Sequence, residues 1–392
     1  MKISQVDLRI IKDSRGKDTL EIEMKSDGIV VIASVPTGES TGKNEAKMIA
    51  PKQALEKVDW VYSQIKDHDF ATLDQFDGLI NTLDGTNDKS SLGANLILSL
   101  SLAFIRLLAK ESNQEVWQLI AKISGSKPSL PLCLFNVVEG GVHTSNSLPF
   151  QEYWFIPKTN SPKEALDNCF ILLKSLGEKI NKKYGEMKMG FEGGYTVPSK
   201  NAEEGLKIIK EVMEKLGLDA DLGLDVAAST FYQNGSYNMG GKIMSPDELF
   251  SYYQLLTTNY QLLSIEDPFD EEDWQGFSNL QSCIGDSVLV VGDDLTTTNP
   301  ARIRMAYEKK AVNAIIIKTT QIGTVTETIQ AANLAKSYGW KIIVANRGKE
   351  TLDTFIADLA YGLGADGLKS GCPLQKERLV KYERLLEIES RI

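Results

Sequence analysis

The chain has 392 residues, enough for two domains of which one is as large as a barrel, and 42% of them are hydrophobic, enough to fill both cores. Its 43 Lys and Arg against 53 Asp and Glu leave a net charge of −10, which argues against a nucleic-acid footprint or a polybasic membrane surface but leaves room for a local basic pocket for a small anion. Cys133, Cys169, Cys283 and Cys372 are scattered without a C-x-x-C pair, and two histidines give zinc little help, so reduced thiols in a cytoplasmic protein are expected.

Residues 1–30 alternate as strands do and show no basic, apolar, small-residue leader pattern. Strand-like segments at 2–11, 19–24 and 29–35, punctuated by the turns Asp13-Ser-Arg-Gly16 and Ser26-Asp-Gly28, predict a three-stranded antiparallel meander. Between the third strand and the first helix lies Pro36-Thr-Gly-Glu-Ser-Thr-Gly42, a glycine and hydroxyl loop with no lysine in P-loop position. It reads either as an ordinary loop or as a lid that brings Ser40 to a metal or anion. Helical patterns follow near 45–65, near 71–83 and over 94–110. The stretch 93–109 is the most apolar, but it is too short to span a bilayer and carries Arg106, so it reads as a core helix.

These segments form an α+β capping domain over 1–125, and the Pro- and Ser-rich run Ser124-Gly-Ser-Lys-Pro-Ser-Leu-Pro131 breaks helix and strand before a second domain at 131–392. In that second part, short apolar strands end repeatedly in a polar residue: Asp225, Glu266, Asp294, Lys318, Asn346 and Lys369. Successive tips are 41, 28, 24, 28 and 23 residues apart, the length of a strand, a loop and a returning helix, which predicts a (β/α)8 TIM-type barrel with all six around one mouth. Singly, each tip is a strand stopping at a polar loop. Six in register point to a site.

Asp225, Glu266 and Asp294 are hard oxygen donors on three successive tips, suited to Mg²⁺ or, alternatively, to an ion-pair network with Lys318 and Lys369. Asp293, beside Asp294, is expected to face away. Lys318 follows three isoleucines, where burial and neighbouring cations would lower its ammonium pKa and free it to act as a base. Lys369 lies between Gly367 and Gly371, close enough to ligand or backbone to neutralise a carboxylate or depress Lys318. Two glycine loops, Glu139-Gly-Gly-Val-His143 and Phe191-Glu192-Gly-Gly194, turn His143 and Glu192 toward the mouth or are simple turns. Glu152 sits amid aromatics, where an unpaired charge is expensive.

With these residues in view, the chain resembles the enolases, the phosphopyruvate hydratases of glycolysis, over nearly its whole length. The stretches that carry the likeness include Asp13-Ser-Arg-Gly, Val35-Pro-Thr-Gly-Glu-Ser-Thr-Gly42, Gly93-Ala-Asn, Gln151-Glu152, Glu192-Gly-Gly, Ser264-Ile-Glu-Asp267, Val291-Gly-Asp-Asp-Leu295, Gln321-Ile-Gly-Thr-Val-Thr-Glu-Thr328 and Glu377-Arg378. The resemblance implies a dimer or higher homo-oligomer with irregular first turns in its barrel. It makes Asp225, Glu266 and Asp294 ligands of one Mg²⁺, places Ser40 at a second, and assigns Lys318 as the base at C2 and Glu192 as the acid at the C3 hydroxyl. His143, Glu152, Lys369, Asn346 and Arg347 would line the substrate, with Arg347 pairing its phosphate.

Departures from the family pattern cluster on one side of this site. Phe191 stands where an Asp is usual before the acid, Asn346 where a His is usual, Gly348 where a Ser is usual, and Gln375 where an Arg is usual. The leading expectation is a Mg²⁺-dependent lyase that reversibly dehydrates 2-phosphoglycerate to phosphoenolpyruvate. Its partner is a small phosphorylated carboxylate, with no nucleic acid and no membrane. The alternatives are a paralogue acting on another 2-substituted carboxylate, and a non-catalytic binding protein, which the retention of Lys318 and Glu192 disfavours.

Overall fold

The computed structural model describes residues 1–38, 42–144 and 148–392. Ser40 therefore lies outside the described residues.

Strands Gln5–Lys12, Asp18–Ser26 and Ile29–Ser34 form the antiparallel meander expected, with Val6 opposite Met24 and Ile22 opposite Ala33. Alternation gives the central strand one apolar face, so Leu20, Ile22 and Met24 are wholly buried against helix Ala94–Glu111. At the first hairpin turn the Asp13 carboxylate accepts from the backbone N–H of Arg15 and Lys17, and Gly16 supplies the positive φ of 69°. The first helix runs Pro51–Ile65 rather than starting near Glu45. Pro51, at the first helical turn, suits a start there. Residues 45–50 instead lie against the barrel and the third helix, through Ala46 N–H to Gln321 O at 2.9 Å and Ala94 N–H to Lys47 O at 2.7 Å. No helix among the described residues is long and apolar enough to cross a membrane.

The second half closes a ring of eight strands: Leu132–Glu139, Glu152–Pro157, Ala220–Asp225, Leu262–Glu266, Leu289–Gly292, Ala314–Ile317, Lys341–Ala345 and Gly367–Lys369, the last pairing back to the first. The second strand runs antiparallel to both neighbours and the remaining pairs are parallel. Leu134, Trp154, Ile156, Val291, Ala314, Ile316, Ile343 and Ala345 pack together as the barrel interior. Helices such as Pro162–Tyr184 and Val325–Ser337 surround it. The wide spacing between Asp225 and Glu266 is filled by a small antiparallel sheet, Tyr232–Gln233, Ser236–Met239 and Lys242–Met244, as well as a helix. Ion pairs are among the ties between the halves: Arg106 donates to both Asp353 carboxylate oxygens at 2.7 and 2.6 Å, and Arg347 donates to Glu45 at 2.8 and 3.3 Å.

Candidate active site

Strand geometry puts the functional groups at one end of the ring. Asp225, Glu266 and Lys369 are the last residues of their strands, while Asp293, Lys318 and Asn346 come directly after theirs. The antiparallel second strand begins at this end, so its first residue, Glu152, pairs with both Glu139 and Asp225. One cavity is lined by His143, Glu152, Glu192, Asp225, Asp293, Asp294, Lys318, Asn346, Arg347 and Lys369, with Gly38 and Glu45 approaching from the N-terminal domain. Every predicted site residue among those described lies there except Glu266, which is fully buried beneath Lys369.

Lys369 is the hub on one side. Its ammonium donates to Glu266 at 2.8 and 2.9 Å and to Asp225 at 3.2 Å, lies 3.5 Å from Glu152, and sits 4.7 Å above the Trp154 ring. Burial opposes its charge, yet Glu152, Glu266 and Asp225 hold it well above the ordinary lysine range. Glu266 is pushed well up by burial and then by Asp225, and Glu152, accepting from the Trp154 indole at 2.7 Å, is raised by burial to about 7.

Asp293, expected to face away, instead turns into the site. The strand ends at Gly292, so alternation no longer governs the next two side chains. Asp293 turns to Lys318, pairs with it, and accepts from the Gln321 amide at 2.8 Å, whereas the Asp294 carboxylate lies at the approach of Gly42. The backbone N–H groups of both donate to Asp267, at 2.9 and 2.8 Å. Burial is outweighed at Asp293 by Lys318, which holds it down to about 2, while burial and Asp293 raise Asp294 to about 7. Lys318 itself is raised rather than lowered. Burial, Lys369 and Arg347 favour the free amine as expected, but the Asp293 carboxylate prevails.

Across the mouth, the loop bearing Glu192 is pinned by Glu139, which accepts from Glu192 N–H at 3.1 and 3.0 Å and from Gly194 N–H at 2.6 Å. Gly190 and Gly194 are required here, since a Cβ on either would stand within 2.5 and 3.0 Å of the Glu139 side chain. Glu192 accepts from Asn346 Nδ2 at 3.1 Å and lies 3.7 Å from the Arg378 guanidinium. Burial works against its ionisation, but Arg378, His143 and Lys369 keep it below the usual carboxylate range. His143 sits 3.3 Å from Glu139; burial opposes its charge, and Glu139, Glu192 and Glu152 still raise it to about 9.

Glu45, Glu139 and Arg378 escaped assignment from the residues themselves. Glu139 immediately precedes the first glycine loop, which is a local signal, whereas Arg378 reaches the mouth from the last helix, Lys376–Glu389, with no local signal at all. Among the described residues, two groups each bring ligand-type atoms within 4.8 Å of one another: His143 with Glu152 and Glu192, and Asp267 with Asp293 and Asp294.

A family model described as Enolase, N-terminal domain matches residues 3–120, and one described as Enolase, C-terminal TIM barrel domain matches 127–392. A curated relative named Enolase, from Methanopyrus kandleri, is 38% identical over 409 aligned positions, covering 99% of this chain and 95% of the relative. With both halves matched, and with the mouth built as described, the chain belongs to the enolase family and is a lyase of the phosphopyruvate hydratase type.

Proposed function

We propose that the chain catalyses the reversible dehydration of 2-phosphoglycerate to phosphoenolpyruvate with Mg²⁺, as a cytoplasmic glycolytic enzyme and a homodimer or higher homo-oligomer. The observation that carries the reaction is the convergence of Lys318, Glu192, Lys369 and an excess of carboxylates on one cavity. The cellular and oligomeric parts rest on family membership, with four free cysteines in keeping with a reducing compartment.

The residues present fit a hard divalent cation. Burial, followed by a neighbouring carboxylate, presses both Glu266 and Asp294 toward protonation, beyond what Lys318 and Lys369 offset. Asp225, Glu266 and Asp293 would hold it, Asp293 replacing Asp294 because its side chain is the one turned into the lysine-bearing side of the mouth. Ser40 as a contact of a second Mg²⁺ rests on the resemblance alone. When bound, Mg²⁺ supplies positive charge that stabilises the substrate carboxylate as it gains electron density.

In dehydration the Lys318 amine takes the C2 proton, and Glu192 delivers a proton to the departing C3 hydroxyl. In hydration both transfers reverse. Lys318 is here an ammonium paired with Asp293, and Glu192 a carboxylate beside Arg378, the protonation states from which hydration starts. Lys369, His143 and Glu152 line the carboxylate and hydroxyl side, Asn346 orients Glu192, and Arg347 faces the phosphate. A second reading, another 2-substituted carboxylate as substrate, is favoured by one observation: the Asn346 amide is spent on Glu192 and on Arg347 O, at 3.1 and 2.9 Å.

Turnover of 2-phosphoglycerate coupled to a phosphoenolpyruvate-consuming enzyme tests the reading, with and without EDTA. Lys318→Ala is expected to lose exchange of the C2 proton with D₂O, while Glu192→Gln keeps exchange and loses product, each by about 10²- to 10⁴-fold in its own step. Full turnover in excess EDTA, or exchange surviving in Lys318→Ala, overturns the assignment.

A further inference from the structure

The loop that carries Glu192 has a neighbour that the chemistry above does not use. Phe191 is held through its backbone on both sides: its N–H donates to His143 O at 3.3 Å, and its carbonyl accepts from the Gln375 amide at 3.2 Å. Its half-buried ring neighbours two basic groups. The His143 imidazole lies 6.0 Å away between ring centroids, tilted by 34°. The Arg15 guanidinium, from the other domain, lies 4.2 Å over the ring.

Arg15 belongs to the other domain. The turn that bears it is locked by Asp13 and docked on the barrel mouth, with Ser14 N–H donating to Glu350 O at 2.8 Å and Glu350 N–H donating to Ser14 Oγ at 3.1 Å. No carboxylate among the described residues pairs with the Arg15 side chain, so the Phe191 face is its partner. The order Arg15, Phe191, His143 is thus a continuous stack from the N-terminal domain to the wall of the cavity.

We infer that Phe191, clamped by Arg15, is a positioning residue that fixes His143 and the Glu192 loop, making alignment of the site depend on docking of the first hairpin. A cation over a ring face needs the aromatic quadrupole as well as bulk, so leucine at this position is not equivalent, whereas tyrosine is. Misplacing a proton donor by about 1 Å costs on the order of 10²-fold in turnover, and the effect falls on kcat more than on KM because, of the groups proposed to line the substrate, only His143 moves while Lys369 and Arg347 stay in place.

The inference rests on the proposed role of Glu192, but it has a readout of its own. The chain holds two histidines, and the second, His68, is exposed and distant in sequence, so the imidazole NMR signals form a probe with an internal control. Phe191→Leu and Arg15→Gln should each displace or broaden the His143 signal and leave His68 unchanged, and each should lower kcat by about tenfold or more with a smaller change in KM. Phe191→Tyr should restore both, and the double variant Arg15→Gln with Phe191→Leu should be no worse than the poorer single one. An unchanged His143 signal in both variants, or additive losses in the double variant, overturns the stack as a positioning device. If the wild type fails to turn over 2-phosphoglycerate while His143 still responds as described, the stack stands and the substrate assignment falls.

Discussion

Replacing Lys369 by methionine removes the one ammonium shared by Asp225, Glu266 and Glu152, while keeping the side chain's length and apolar stem. Breaking a buried ion pair from one side typically costs about 3–5 kcal/mol, because the remaining charge loses its partner without regaining water. At Lys369 the remaining groups are carboxylates at most 5% exposed, so the upper part of that range applies. Part of the loss is avoided by proton uptake, which fixes the sign of the pH dependence. Carboxyl groups whose folded pKa stands above the unfolded value bind more protons in the fold, so stability is greatest below the unfolded pKa and falls as pH rises through the folded one. Lys369→Met should therefore lie near the wild type at pH 4–5 and far below it at pH 8 in thermal or urea unfolding. Mg²⁺ should return more stability to the variant than to the wild type, because only in the variant does it meet carboxylates with no lysine to displace. Equal stability of the two proteins at pH 8 without metal, together with no Mg²⁺ response, would refute both the electrostatic account of the mouth and the cation site built on it.

Asp77, buried and accepting from Thr326 N–H at 3.0 Å, is raised by burial from 3.8 to about 6. Its ionisation at pH 8 then costs ~3 kcal/mol that is absent below pH 4, so Asp77→Asn should stabilise at pH 8 and not at pH 4, and the same stability difference at both pH values would show that the Asp77 pKa is not raised by folding. Asp293→Asn should weaken Mg²⁺ binding by tenfold or more in calorimetric titration, with Asp294→Asn the milder change; the reverse order would restore Asp294 as the ligand. Asn346→His with Gly348→Ser should improve kcat/KM for 2-phosphoglycerate, since each charge-assisted hydrogen bond regained contributes roughly 1.5 to 3 kcal/mol. Impairment by that pair would mean that the pocket is built around its own substrate with asparagine in place.

The meander, the barrel and the polar strand tips around its mouth were legible because each depends on local pattern: apolar runs of strand length, a polar residue at the end, and enough chain between for a helix to return. The failures share one cause, which is that local pattern was extended past the element that produces it. Strand alternation assigned Asp293 outward, but the strand had already ended at Gly292. The isoleucines before Lys318 correctly foretold burial, but the sign of its shift is set by a carboxylate 25 residues away in the chain. Glu45 and Arg378 are long-range contributors, reaching Arg347 across 302 residues and Glu192 across 186. No spacing rule connects such pairs.

Asn346 and Gln375, both uncharged, lie on the Glu192 side of the mouth. Asn346 keeps a donor on Glu192 but carries no charge, and Gln375 is turned to the Phe191 carbonyl, so the cations left to hold Glu192 ionised are Arg378, His143 and Lys369. Arg378 is immobilised by donating to Arg347 O at 2.5 Å and to Gly348 O at 2.7 Å, which ties the charge beside Glu192 to the backbone of the segment carrying Arg347. Any anion drawn to Arg347 therefore acts on a backbone segment that Arg378 also holds. Arg347 is in turn shared with Glu45, whose carboxylate accepts from Gly42 N–H at 3.1 Å at the end of the hydroxyl-rich loop. One short segment of the barrel mouth thus links Glu192, Arg347 and the N-terminal domain. Substitutions at 346 and 348 should for that reason move turnover and substrate affinity together rather than separately.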